Sequence, residues 1–216
     1  MIRNLALAHV GGYYNYRVHF PKVERLCCDN GFIGLKQHLQ EMFSNCPDDY
    51  FNIGPRSSRL KFNIPLDVKK IAGHEMSYMA REGLKINKER YKGNHSKIQV
   101  FMLEMDKKTI AVEVPLWMHN HEINDYKEIF QSEFPLTGHA DILRVENGKI
   151  WVWDYKPMAI EEKFASTQVY FYALMLSKRS GIPLSNLRCG YFDGEYAFVF
   201  NPSETSMKKL VPCPQP

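Results

Sequence analysis

Residues 138–156 read Gly138-His139-Ala140-Asp141-Ile142-Leu143-Arg144-Val145-Glu146-Asn147-Gly148-Lys149-Ile150-Trp151-Val152-Trp153-Asp154-Tyr155-Lys156. Two strand-like runs flank Asn147-Gly148, the pair best suited to a type I′ turn, because both central residues there need positive φ. A two-residue loop fixes the register: Glu146 faces Lys149 and, counting outward, Asp141 faces Asp154. Strand alternation then puts Asp141, Leu143 and Val145 on one sheet face with Ile150, Val152, Asp154 and Lys156, and Trp151, Trp153 and Tyr155 on the other.

Directly opposed side chains have Cβ atoms ~4.5–5.5 Å apart, and like charges so placed are destabilising unless compensated. A cation between Asp141 and Asp154 would compensate them, and oxygen ligands favour Mg²⁺ or Mn²⁺ over zinc. The plainer alternative is a solvated strand end. Lys156 lies ~7 Å beyond Asp154 on the same face, where an ammonium can orient or help deprotonate an attacking water and stabilise phosphoryl charge.

Working outward, Thr109 to Trp117 reads as a strand with Pro115 near its end. Met118 to Pro135 reads as a polar loop, and its His119-x-His121 pair as loop chemistry of no consequence. Asp67 opens a helix over about 66–88, with Val68, Ile71, Met76, Met79 and Ala80 at mostly helical spacing and His74 well inside. Glu161 and Glu162 suit the first turn of a helix running from about 160 to Ser180, which stops before Gly181 and Pro183. Val169 to Leu176 is apolar nearly all round, so this helix should be buried. Gln168 and Tyr172, four apart, share a face. A second hairpin around Asp193-Gly194 joins Leu187–Phe192 with Glu195–Phe200.

At 216 residues the chain is long enough for one sizeable core. Its 44% hydrophobic and 24% charged residues exclude a disordered chain. No apolar run approaches the ~18–20 residues of a membrane span, and no signal peptide is legible, so an intracellular, cytoplasmic protein without a membrane partner is expected. Five cysteines without a C-x-x-C pair suggest neither a disulfide framework nor a zinc ribbon, leaving buried free thiols as the expectation. Net charge is only +4, yet residues 56–97 hold eleven Lys/Arg against four Asp/Glu, whereas the remainder carries a net −3. That asymmetry suits a phosphate backbone, with Arg56, Arg59 and Lys61 as candidate contacts, although a solvated lysine-rich face has the same composition.

The expected fold is α/β: a central mixed sheet from strands near 109–117, 137–145, 149–156 and 187–192, with helices 66–88 and 160–180 packed on it. Residues 65–203 form this core. Residues 1–64, including a helix near Gly34–Phe43, form an α-helical or irregular extension packed on it, and 204–216 is a tail.

The ordered set Gly138-His-Ala-Asp141, Asp154-Tyr-Lys156 and Gln168-x-x-x-Tyr172 resembles the PD-(D/E)XK nuclease superfamily, in its RecB-like branch, over roughly residues 65–200. The resemblance implies a restriction-endonuclease-like core holding one or two Mg²⁺ or Mn²⁺ ions. It implies that Asp141, Asp154 and the Tyr155 carbonyl are metal ligands, joined by His74 from the upstream helix, with neighbouring Glu75 able to substitute. Lys156 would be the catalytic lysine, Glu113 a supporting acid, and Gln168 with Tyr172 would steady the scissile strand. The C-terminal cysteine cluster of CRISPR-adaptation members is missing, so no iron–sulfur cluster is expected.

The activity implied is hydrolysis of DNA phosphodiesters, most simply exonucleolytic cutting of single-stranded ends in recombination, repair or replication. A structure-specific or duplex endonuclease, a noncatalytic nucleic-acid-binding subunit and an unrelated metal-binding α/β enzyme are the alternatives. Homo-oligomerisation and association with other DNA-processing proteins stay open.

Overall fold

The computed structural model describes residues 1–205; most of the expected tail, with Cys213, lies outside them. An eight-stranded sheet organises the protein. Its strands are β1 (Ile2–His9), β2 (Gly12–His19), β3 (Lys69–Ala72), β4 (Thr109–Met118), β5 (Leu136–Glu146), β6 (Lys149–Tyr155), β7 (Leu187–Phe192) and β8 (Tyr196–Phe200), in the order β1-β2-β4-β5-β6-β7-β8-β3. Every neighbouring pair is antiparallel except β6 with β7. A parallel pair needs a crossover, here made by the helix Ala165–Ser180.

The β5–β6 hairpin has the register read from its turn, from Glu146↔Lys149 through Ile142↔Trp153. Asn147 and Gly148 both have positive φ, 51° and 67°. One face of the sheet packs Leu143, Val145, Ile150 and Val152 in a core with Val169, Phe171 and Leu176. The other packs Ile142, Trp153, Tyr155 and Phe192 with Met76, Met79, Ile98 and Met102. The result is a mixed α/β fold with helices on both faces: α1 (Phe20–Asp29), α2 (Ile33–Glu41), α3 (Asp48–Ile53), α4 (Glu75–Ile86), α5 (Asn94–Met105), the short α6 (Tyr126–Phe130) and α7 (Ala165–Ser180).

Helix α7 is buried on nearly every side, as its composition requires. It ends at Gly181, whose φ of 69° suits glycine and whose N–H bonds the Ser177 carbonyl. It begins later than expected: Ala159–Glu161 is a separate 3₁₀ turn, so Glu161 and Glu162 lie outside the α-helical first turn.

Two further expectations are corrected. Residues 66–88 are not one helix: Lys69–Ala72 pairs with β8 at the sheet edge, Gly73 turns at φ 66°, and α4 begins at Glu75. An apolar spacing shared by two elements looked continuous, but the open edge of β8 supplied backbone partners that a helix could not. The first nineteen residues are likewise neither helical nor irregular. They form a hairpin, turned at Val10 and Gly11, whose second strand adds to the sheet through Arg17↔Val112 and Val18↔Ala111. No helix among the described residues is long and apolar enough to cross a membrane.

Candidate active site

Three acids stand side by side across three adjacent strands. Val112↔Ile142 and Val114↔Ala140 bracket Glu113 opposite Asp141, and continuation of the β5–β6 register puts Asp141 opposite Asp154. Glu113 has a positive φ of 52°, a conformation that L side chains rarely adopt and that re-aims it out of the regular pleat.

Asp141 is buried. Its Oδ2 accepts the Tyr155 N–H at 2.8 Å, and its Oδ1 accepts from Gln99 Nε2 at 3.3 Å. The same Gln99 amide donates to Glu113 Oε1 at 2.7 Å, while His95 Nε2 lies 3.5 Å from Asp141 Oδ2. Asp154, also buried, pairs with Lys156 Nζ at 2.6 Å from its Oδ2. Lys156 Nζ donates to Gln168 Oε1 at 2.9 Å, and Gln168 Nε2 points to the Tyr172 hydroxyl at 2.6 Å and Asp154 Oδ1 at 3.4 Å. Sequence spacing therefore located the Asp154, Lys156, Gln168 and Tyr172 constellation, and the crossover α7 delivers it.

The electrostatics follow from burial. Asp154 is pushed up to about 6 by desolvation, with Lys156 opposing the shift and Asp141 adding to it. Desolvation also raises Asp141 and Glu113. For Lys156 desolvation acts downward, but the charge of Asp154 and its contact outweigh it and the amine rises above its usual value. It is a fixed cation at neutral pH.

The structure parts from the sequence reading at His74. Rather than lying inside a helix, it caps α4: its Nδ1 accepts the Met76 N–H at 3.1 Å, and its ring lies 5.4 Å from that of Trp153. Its charged neighbours are Arg144, Glu75, Glu146 and Lys108, not the three acids. Glu75, the stated substitute, ion-pairs with Arg144 and Lys108. His95 is the histidine beside Asp141. It and Gln99 were missed because both belong to α5, where their i, i+4 spacing was the available signal. Tyr155 packs its ring in the opposite core, edge-on to His95 at 5.1 Å between centroids.

The basic candidates separate. Arg56 is engaged by the Val10 carbonyl and the Tyr14 hydroxyl. Arg59 is exposed, and Lys61 is exposed with its Nζ 5.5 Å from the Phe164 ring centre.

The donor set fits a hard divalent cation by chemistry: three carboxylates and one imidazole, with the Lys156 ammonium beside one of the carboxylates. Among the described residues, no three ligand atoms of this group lie within 4.8 Å of one another.

The raised Asp154 has a consequence for stability. A carboxyl whose folded value, about 6, exceeds its unfolded value binds its proton more tightly in the native state. The resulting stabilisation is full below pH ~4 and is lost as pH rises through ~6. Asp154→Asn, which mimics the protonated form, should therefore stabilise the protein by about 2–3 kcal/mol at pH 7.5 and by about 1 kcal/mol at pH 4.5. Comparing variant with parent by chemical denaturation at each pH cancels the opposing pull of buried His38, lowered to about 4 by desolvation. A difference that does not change with pH would refute the assignment of this charge.

No protein-family model matches the chain, and comparison with curated proteins gives no match.

Proposed function

We propose that this protein is a divalent-metal-dependent deoxyribonuclease, an exonuclease acting on single-stranded DNA ends, of the RecB-like PD-(D/E)XK type its motifs resemble. The observation that carries the reading is the continuous array of Asp154, Lys156, Gln168 and Tyr172 beside Asp141 and Glu113. Three acids with raised proton affinity, Asp141 and Asp154 buried and Glu113 half-buried, and a fixed cation have little value to a core, where unpaired charge is costly. Such groups cluster where charge is handled.

Asp141, Asp154 and Glu113, with His95 in place of His74, would hold Mg²⁺ or Mn²⁺. When bound, the ion supplies Lewis acidity that polarises a phosphoryl oxygen and acidifies the attacking water. Lys156, charged throughout the neutral range, stabilises the negative charge that grows on the phosphoryl oxygens, and so favours the transition state over the bound substrate. Gln168 fixes that ammonium through its Oε1 and is itself held by Tyr172. Asp141 accepts the Tyr155 amide, which sets the spacing of the two central strands at the site. Arg59 and Lys61 are exposed cations available to a backbone phosphate.

The test is incubation of end-labelled single- and double-stranded DNA, and of closed circular single strands, with Mg²⁺ or Mn²⁺. Degradation of linear single strands that spares circles is expected. Cleavage of circles would make the protein an endonuclease, and no metal-dependent cleavage of any DNA would overturn the proposal. Activity should also fall steeply with added salt, since backbone contacts release counterions.

A further inference from the structure

A second group of metal-ligating side chains lies apart from the acids. His9 ends β1, Cys46 lies in the loop after α2, and Asp48 opens α3, the last two separated only by Pro47. One ligand atom from each, an imidazole nitrogen, a thiol sulfur and a carboxylate oxygen, all lie within 4.8 Å of one another.

The imidazole is held as a ligand would be. Its side chain is fully buried, its ring stacks on Phe51 with centroids 4.2 Å apart and planes 9° apart, and its Nδ1 lies 2.9 Å from His139 Nε2. Those contacts turn Nε2 toward Asp48, 2.8 Å from Oδ1. His139 is itself 4% exposed, stacks on Tyr14, and leaves its Nδ1 buried with no partner. A buried imidazole–imidazole contact with an orphan nitrogen is costly if it serves only packing. It has a use as the outer contact that fixes which nitrogen of a ligating histidine is free for a metal. On the open side the Asp48 side chain is 60% exposed, which leaves an entry path.

We propose that His9 Nε2, the Cys46 thiolate and the Asp48 carboxylate bind one zinc ion, with solvent as fourth ligand. The nitrogen–sulfur–oxygen set favours zinc over Mg²⁺ or Mn²⁺. Thiolate and carboxylate together balance its two charges; binding releases the thiol proton to solvent, and the neutral His9 ring changes tautomer, giving up the Nε2 proton shared with Asp48 and taking one on Nδ1, which donates to His139. The ion joins the first strand to the start of α3 and, through His139, to the strand carrying Asp141 two residues on. Its binding is independent of the nuclease reading.

The test uses the full chain stripped with a chelator and titrated with Co²⁺ and with Zn²⁺. One equivalent of Co²⁺ should give a thiolate-to-cobalt charge-transfer band. Zn²⁺ at ~100-fold over its dissociation constant should raise the melting temperature by about 5–10 °C. Cys46→Ser should abolish the band and weaken Zn²⁺ by about 100-fold or more, whereas Cys28→Ser, at an exposed cysteine, and Asp141→Asn should leave both unchanged. His9→Gln should behave as Cys46→Ser; should it fail to fold, Cys46→Ser alone decides. Absence of the band in the parent, or a band and affinity unaffected by Cys46→Ser, would overturn the proposal.

Discussion

Lys156→Ala should reduce DNA hydrolysis by about 10³-fold while leaving single-strand affinity within about threefold. The amine contacts Asp154 Oδ2 and Gln168 Oε1, and among the described residues no other lysine or arginine pairs with Asp154. Removing one preorganised charge from a developing oxyanion typically costs ~10²–10³ in rate, and here the loss also leaves Asp154 buried without its counter-charge. Because Lys156 is held above its ordinary value, it cannot serve as the base near neutral pH. The rate should therefore show no fall attributable to Lys156 as pH rises through the neutral range. Gel-based hydrolysis rates and fluorescence-anisotropy binding, measured on the same preparations, check both halves. A Lys156→Ala protein that cuts DNA at the parent's rate would remove the ammonium from the mechanism. Equal loss of binding and cutting would make it a substrate contact only.

Arg144→Ala should destabilise the fold by about 3–5 kcal/mol without entering the chemistry directly. Arg144 is fully buried on β5, on the far side of Ile142 and Leu143 from Asp141. Its Nε lies 2.9 Å from Asp106 Oδ2, its Nη2 3.0 Å from Glu75 Oε2 and its Nη1 3.5 Å from Glu146 Oε2. The Asp106 side chain is only 6% exposed, and desolvation would raise its proton affinity, but Arg144, Thr109 and the Lys108 N–H more than offset it and hold it below the usual range. Deleting the guanidinium strands that carboxylate. A drop in melting temperature of about 10 °C or more is expected. Arg144→Met combined with Asp106→Asn should recover most of it, because the uncompensated charge goes with the pair. A single-variant loss under ~1 kcal/mol would show that solvent already screens the network.

Arg144 also exposes the limit of the linear reading. In sequence it is one polar residue on the hairpin strand, and strand alternation assigns it only a face. That it closes a network with Glu75 and Asp106, residues from two other segments, depends on α4 and the end of α5 packing over the sheet. His74 fails for the same reason in reverse. Apolar spacing places it well inside a helix and the family resemblance makes it a metal ligand, but the positive φ of Gly73 ends a strand just before it and its nitrogen caps α4. The cysteines divide similarly: Cys27 and Cys189 are buried free thiols, as expected, while Cys28 is exposed and Cys46 only half-buried.

What the sequence by itself determined was local: the Asn147-Gly148 turn, the register it imposes on Asp141 and Asp154, the placing of Lys156 beside Asp154, and Gln168 with Tyr172 on one helical face. Two-residue turns and fixed strand and helix periods act over a few residues, and their geometry follows from the chain's own stereochemistry. Tertiary structure alone decided which sheet edges were taken, by the first hairpin at one end and Lys69–Ala72 at the other. It also decided that His95 and Gln99, rather than His74, meet the acids. Such choices are settled by competition among distant segments for the same backbone partners and the same apolar face, and no short-range rule ranks the competitors.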